Sequence, residues 1–313
     1  MSLFIAMSLL RRSVGAIGGA VSVLAAMACG GATEEGSATT TSSSKSSAAL
    51  PAPESTNYPR QANGFRFHWA GAPGIELEVG PAVALRAYLE SMRLSTFAGG
   101  DPSSVYPGFM RATPENIEPG MSPADLFQLQ SVRPKTRAQY GADGPKYAER
   151  EIFGYQPTYV LDLSPRGDGY RATVCLGAYS VYRTDDVGRE KYFSTAADEH
   201  TGQMLRADSD IQFWRVELTE NDPRTVDAPP SPSISQTGPL PAPLTDVFGK
   251  WFITGSSQGL WGPPGQGENI ETPELRQRCE AAMPDDAASR KAMATGFHDA
   301  PPPHGGPVPG WPR

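Results

Sequence analysis

The sequence predicts an α+β domain, with a curved antiparallel sheet packed on an N-terminal amphipathic helix. Two observations carry this. Leu85, Tyr88, Leu89 and Met92 fall at i, i+3, i+4 and i+7, one apolar stripe at helical spacing. After Glu151 the chain turns to β-branched and aromatic runs joined by Gly/Pro-rich loops. Helix first and strands later is the element order of an α+β fold.

The helix opens at Gly80-Pro81, since proline suits a first helical position, and ends at Ala98-Gly99-Gly100. Arg86, Glu90 and Arg93 mark its expected outer face, with Glu90 in pairing distance of both arginines. Before it, Phe65 to Trp69 is an aromatic cluster, and Ile75 to Val79 alternates as a short strand or an extended lead-in. After it, prolines at 102, 107, 114 and 119 limit any helix to short pieces, one of them expected over Pro123 to Gln130.

Thr158 to Ser164 and Tyr170 to Tyr182 read as a hairpin across Pro165 to Gly169. In the second arm Ala172, Val174, Leu176 and Ala178 form a core face, and Cys175 and Tyr179 point the other way. Ile211 to Thr219 is a third strand and Val247 to Thr254 a fourth. The Pro-rich stretch between them, residues 221–243, is expected to be an exposed insertion. Thr272-Pro273-Glu274 starts a short helix that carries Cys279 and stops at Pro284.

Composition frames this domain. Glycine (33) and proline (31) make up roughly a fifth of the 313 residues, against about 12% in ordinary proteins. The excess gathers at the ends and near residue 230, so one folded domain is expected over residues 65–284. Residues 29–64 then form a disordered Ser/Thr-rich tether, and 285–313 a disordered Pro/Gly-rich tail. Net charge is −7, and loss of residues 1–28 with Arg11 and Arg12 makes it −9. An acidic chain without a basic run is a poor partner for nucleic acid or for anionic headgroups.

Residues 1–28 place Arg11 and Arg12 ahead of an uncharged apolar run, Ser13 to Ala28, too short for an ordinary spanning helix. That is the pattern of an export signal peptide. The junction Leu24-Ala25-Ala26-Met27-Ala28-Cys29-Gly30 resembles the lipobox of bacterial lipoproteins, which implies lipidation of Cys29 and anchoring to the outer face of a membrane. Ala26 stands where that family usually has Leu. Ala26-Met27-Ala28 also satisfies the A-x-A rule of ordinary secretion, so a secreted form is the alternative. The Ser/Thr tether and Pro/Gly tail resemble secreted mycobacterial-type lipoproteins of unknown function.

Cysteine arithmetic agrees with lipidation. With Cys29 lipidated, Cys175 and Cys279 remain to form a disulfide in an oxidising compartment. The alternative is two buried free thiols.

The helix Gly80 to Gly99 followed by Val105 to Phe109, and the strands after it, resemble the entry to the NTF2-like, or SnoaL-like, cone fold. That family includes isomerases, dehydratases and plain binding modules. Its enzymes use an Asp or His inside the cone, for which Asp162 and His200 are the nearest residues here. Both also read as solvent-facing. Phe213, Trp214, Phe248 and Trp251 are candidates to line a hydrophobic pocket, or else fill the core. No G-x-S-x-G, Ser-His-Asp order, phosphate-cradling loop or metal-ligand spacing is present, so no catalytic residue, cofactor or metal is expected. The expected function is a non-catalytic cell-envelope lipoprotein that binds a partner protein or an apolar ligand. The alternatives are a cone-fold isomerase or dehydratase, and a structural cell-wall protein acting through its Pro-rich ends.

Overall fold

Phe65, Phe67 and Trp69 alternate with polar residues, and this period of two makes Gly64–Gly71 a strand, β1, with those three rings buried. The computed structural model describes residues 58–119, 125–142, 149–185 and 190–313. Residues 1–57, on which the expected signal peptide, Cys29 and most of the expected tether fall, lie outside the described residues. The folded part starts earlier than expected. Tyr58 is buried, and its hydroxyl donates to the Phe65 carbonyl at 2.6 Å.

Helix α1, Pro81–Phe97, has Pro81 in its first turn as the sequence predicts. A four-residue turn of helix, α2, comes next at Arg137–Tyr140, held by a Thr136/Gln139 capping box. The expected helix over 123–130 begins outside the described residues, and its described part forms a 3-10 turn, Phe127–Leu129. Ile75 to Val79 is irregular chain rather than a strand.

The strands are β2 Ile152–Arg166, β3 Gly169–Gly177, β4 Val181–Thr184, β5 Tyr192–Ser194, β6 Ile211–Thr219 and β7 Phe252–Ser257. With β1 they form a strongly curled sheet, mostly antiparallel. β2 lies at its centre. β1 runs parallel along one edge of β2, and β3 and β4 pair antiparallel along the other. β6 then pairs with β3, β7 with β6, and β5 with β4. The β2–β3 hairpin closes with Arg166 opposite Gly169, leaving Gly167-Asp168 as the turn. Gly167 has φ +59°, which glycine adopts without strain. The expected fourth strand is displaced. Asp246 accepts from the Phe248 amide, and Gly249 at φ +55° closes a turn in which the Trp251 amide donates to Phe248. Pairing therefore starts only at Phe252.

The two faces of β3 lead into two cores. Ala172, Val174 and Leu176 join the main core with α1. Cys175 joins a second cluster on the other face, and the expected arm 170–182 breaks after Gly177, so that Ala178, expected on the first face, joins this second cluster together with Tyr179. That second layer is built by α3, Pro273–Ala282, and α4, Ala287–Ala294. Thr272 caps α3 as expected, and the Cys175–Cys279 disulfide ties α3 to the sheet. A two-stranded ribbon, β8 Leu260–Trp261 and β9 Glu268–Asn269, lies between β7 and α3.

Three expectations are corrected together. Helix α1 is not amphipathic in the solvent-facing sense, for Arg86, Glu90 and Arg93 are 0%, 1% and 7% exposed. The segment 221–243 is not simply an exposed insertion, since Thr225, Gln236, Leu240 and Ala242 are buried. Residues 285–313 are not a disordered tail. They form α4 and then an extended strap that ends with Trp311 buried in the core. The insertion and the strap together cover the side of α1 that the sheet leaves open. Leu240 and Trp311 exchange backbone hydrogen bonds of 2.9 and 3.0 Å. Val308 pairs with β1, donating to the Phe67 carbonyl at 3.1 Å and accepting from the Trp69 amide.

Candidate functional site

Burying a charged side chain costs several kcal/mol unless its polar atoms find partners. The three charged residues of α1 solve this in different ways. Arg86 spends its guanidinium on four backbone carbonyls: Leu77, Gln236, Pro309 and Gly310, at 2.7–3.2 Å. It also stacks 4.3 Å from the Trp311 ring centroid. Glu90 accepts from three neutral donors: Trp69 Nε1 at 2.7 Å, Tyr106 Oη at 2.7 Å and Trp311 Nε1 at 2.8 Å. Burial raises the Glu90 carboxyl above its ordinary value of 4.5, opposed by Arg86 and by these hydrogen bonds. This pair is a lock that fastens the strap onto α1.

Glu90→Gln therefore replaces a carboxyl whose two oxygens accept three hydrogen bonds by an amide that turns its NH2 toward one of those buried donors. Its expected cost is about 1–3 kcal/mol in urea unfolding. The pH dependence has a definite sign. A carboxyl raised in the folded state keeps its proton to higher pH than in the unfolded chain. Its contribution is complete below pH 4.5 and falls as pH rises through the raised value. The stability gap between wild type and Glu90→Gln should narrow as pH rises above 4.5, and a gap that widens would contradict this assignment.

Arg93 is different. Its Nε donates to Gln156 Oε1 at 3.2 Å and its Nη1 to Gln212 Oε1 at 3.3 Å, both neutral acceptors. It lies over the Phe97 ring, 4.7 Å from the centroid. Burial and the neighbouring Arg183 guanidinium lower it to about 10, Tyr140 opposes this, and among the described residues no carboxylate acts on it. It remains a cation at neutral pH.

Arg93 forms the wall between two clefts. The larger, about 720 Å³, lies between the last turn of α1, the start of β6 and the loops around Gln130, Lys135 and Gln258. The smaller, about 370 Å³, lies on the Arg183 and Phe193 side. Arg93, Thr96 and Gln212 line both. On the larger rim Arg133 is committed to Thr113 and the Met110 carbonyl, and the rim carboxylate Glu118 is exposed. In the smaller cleft Glu199 pairs with Arg150 at 2.5 Å, and Asp198 caps its own turn through Thr201.

Of the four aromatics expected to line a pocket, only Trp214 lines either cleft. It is 4% exposed, and its indole N–H has no hydrogen-bond partner among the described residues. Phe213 points to the opposite face and packs in the second core beneath the Arg276 guanidinium. Phe248 sits against Phe109, and Trp251 against Tyr170, in the main core. These three fill the core because both faces of the sheet carry a layer. Arg93 was missed as a site residue because its helix position reads as solvent-facing.

Asp162 is exposed and bonded to Ser164 at 2.9 Å. His200 lies in an exposed turn, its side chain 68% accessible. Neither lines either of these two clefts, so the isomerase or dehydratase reading lacks the two residues it relied on there. Among the described residues no three His, Cys, Asp or Glu side chains converge to hold a metal ion, and no helix is long and apolar enough to cross a membrane. No protein-family model, no curated protein and no solved structure matches this chain.

Proposed function

We propose that this chain is an exported cell-envelope protein, held at the outer face of the membrane by a lipid on Cys29, whose folded domain binds a small molecule in the larger cleft. The observation that carries the binding role is that cleft itself, about 720 Å³, with Arg93 and Trp214 in its wall. A volume of this order suits a small organic ligand. The role is binding rather than catalysis. We also read the curled sheet around α1 as an NTF2-like cone, a reading supported by a long helix buried against a curled sheet. The strap packs into the core through Trp311, so action through a free Pro-rich tail is set aside.

Mass spectrometry of the mature N-terminus tests the anchor. The expected species begins at Cys29 and carries acyl chains. A chain that begins at Cys29 without lipid would instead support secretion, the alternative favoured by Ala26-Met27-Ala28. A fragment screen read by amide chemical shifts tests the cleft. Hits are expected to gather on residues 92–96, 212–214 and 257–260. Hits confined to other surfaces would overturn the binding role.

A further inference from the structure

We propose that the ligand of the larger cleft is an organic anion, seated with its carboxylate against Arg93 and the Trp214 indole N–H and its apolar body against the cleft wall. This rests on the reading of the cleft as a binding site and names the chemical class it takes.

Three observations converge. Arg93 is 7% exposed, yet the acceptors it touches are the amide oxygens of Gln156 and Gln212. These satisfy N–H groups and leave the positive charge uncompensated, which is costly in a buried setting. Trp214, in the same wall as Arg93, carries a buried N–H without an acceptor, and such groups in native proteins call for a partner. A guanidinium and an indole N–H are both donors only, so what completes them must accept hydrogen bonds and bear negative charge. Met92, Ile117 and Phe127 line the same space and offer an apolar wall.

The structural explanation for Arg93 would be neutralisation of the carbonyls that end α1. That task falls to Arg183, whose Nη2 donates to the Phe97 carbonyl at 3.4 Å. The hydrogen bonds of Arg93 go to glutamines of β2 and β6 instead.

The test uses phenylacetate and its neutral analogue phenylacetamide on the full mature protein, read by the Trp214 indole N–H resonance. Trp214→Phe, which lacks that resonance, assigns it. Phenylacetate is expected to shift it saturably and to bind about tenfold more tightly than phenylacetamide, the ratio a charge-assisted hydrogen bond supplies. Arg93→Gln should erase this preference. Arg93→Lys, which keeps the charge, should retain part of it. Equal binding of the two probes to wild type would overturn the anion assignment and leave the cleft as a binding site. Failure of both to move any cleft resonance would remove the binding site itself. The wild-type comparison decides even where Arg93→Gln does not fold.

Discussion

Replacing Trp311 by Ala is expected to lower the unfolding free energy by about 4 kcal/mol. Loss of a fully buried Trp side chain typically costs about 3–5 kcal/mol through lost transfer energy and the cavity left behind. Trp311 is 1% exposed, donates to Glu90 and stacks on Arg86. Its removal leaves a buried carboxylate with two donors instead of three. Shortening the chain to residue 304 should be worse. Arg86 then loses the Pro309 and Gly310 carbonyls, and β1 loses its pairing with Val308. A guanidinium buried without those acceptors is a penalty of several kcal/mol more, comparable with the roughly 5–15 kcal/mol that holds a typical domain together. The shortened chain should lose its near-ultraviolet circular dichroism. A shortened chain with the wild-type urea midpoint would show that residues 305–313 do not belong to the core.

Breaking the Cys175–Cys279 disulfide should have an effect of similar size in a different place. The bridge spans 104 residues, and the chain-entropy account assigns a loop of that length about 4–5 kcal/mol. Both cysteines are fully buried, and the second core is arranged around them. The double substitution Cys175→Ala and Cys279→Ala should shift the urea midpoint down by the corresponding amount, and reductant should then have no further effect. In unreduced, denatured wild type neither cysteine should react with a thiol reagent. Two reactive thiols from these positions would contradict the bridge.

The sequence was most legible where a pattern is local. Ile211–Thr219 forms the strand its β-branched and aromatic run predicts, and Pro81–Phe97 the helix its stripe predicts. The alternation in β3 separates Ala172, Val174 and Leu176 from Cys175 as expected, and fails at Ala178, where the strand has ended and the period of two no longer holds. What failed was long-range. Arg86 and Glu90 read as solvent-facing because their partners, Gln236 and the strap around Trp311, lie about 150 and 220 residues away. A signal for burial was present nonetheless. A 17-residue helix with only three charged side chains and small or apolar residues on every face is a helix meant for an interior. The strap was misread because low-complexity composition hides one decisive residue. Trp311 anchors a proline-rich segment whose own stiffness reduces the entropy lost on ordering. For the candidate site, aromatic content alone singled out Trp214, which lines the larger cleft, together with Phe213, Phe248 and Trp251, which fill the core. Arg93, the charged half of the cleft, needed the tertiary structure.

The strap also sets the order in which this molecule can finish folding. β1 sits near the start of the described chain, and one of its edges is completed by Val308, about 240 residues later. The lock on α1 closes only with Trp311. Contacts of such sequence separation form slowly, because the loop between them must be closed before they reward the chain. A chain emerging from the ribosome therefore leaves the outer edge of β1 unpaired by Val308 and the Arg86 and Glu90 side of α1 without its strap partners until residues 305–313 are made. The sheet can assemble early and the seal comes last, which makes the late segment the timekeeper of the native state.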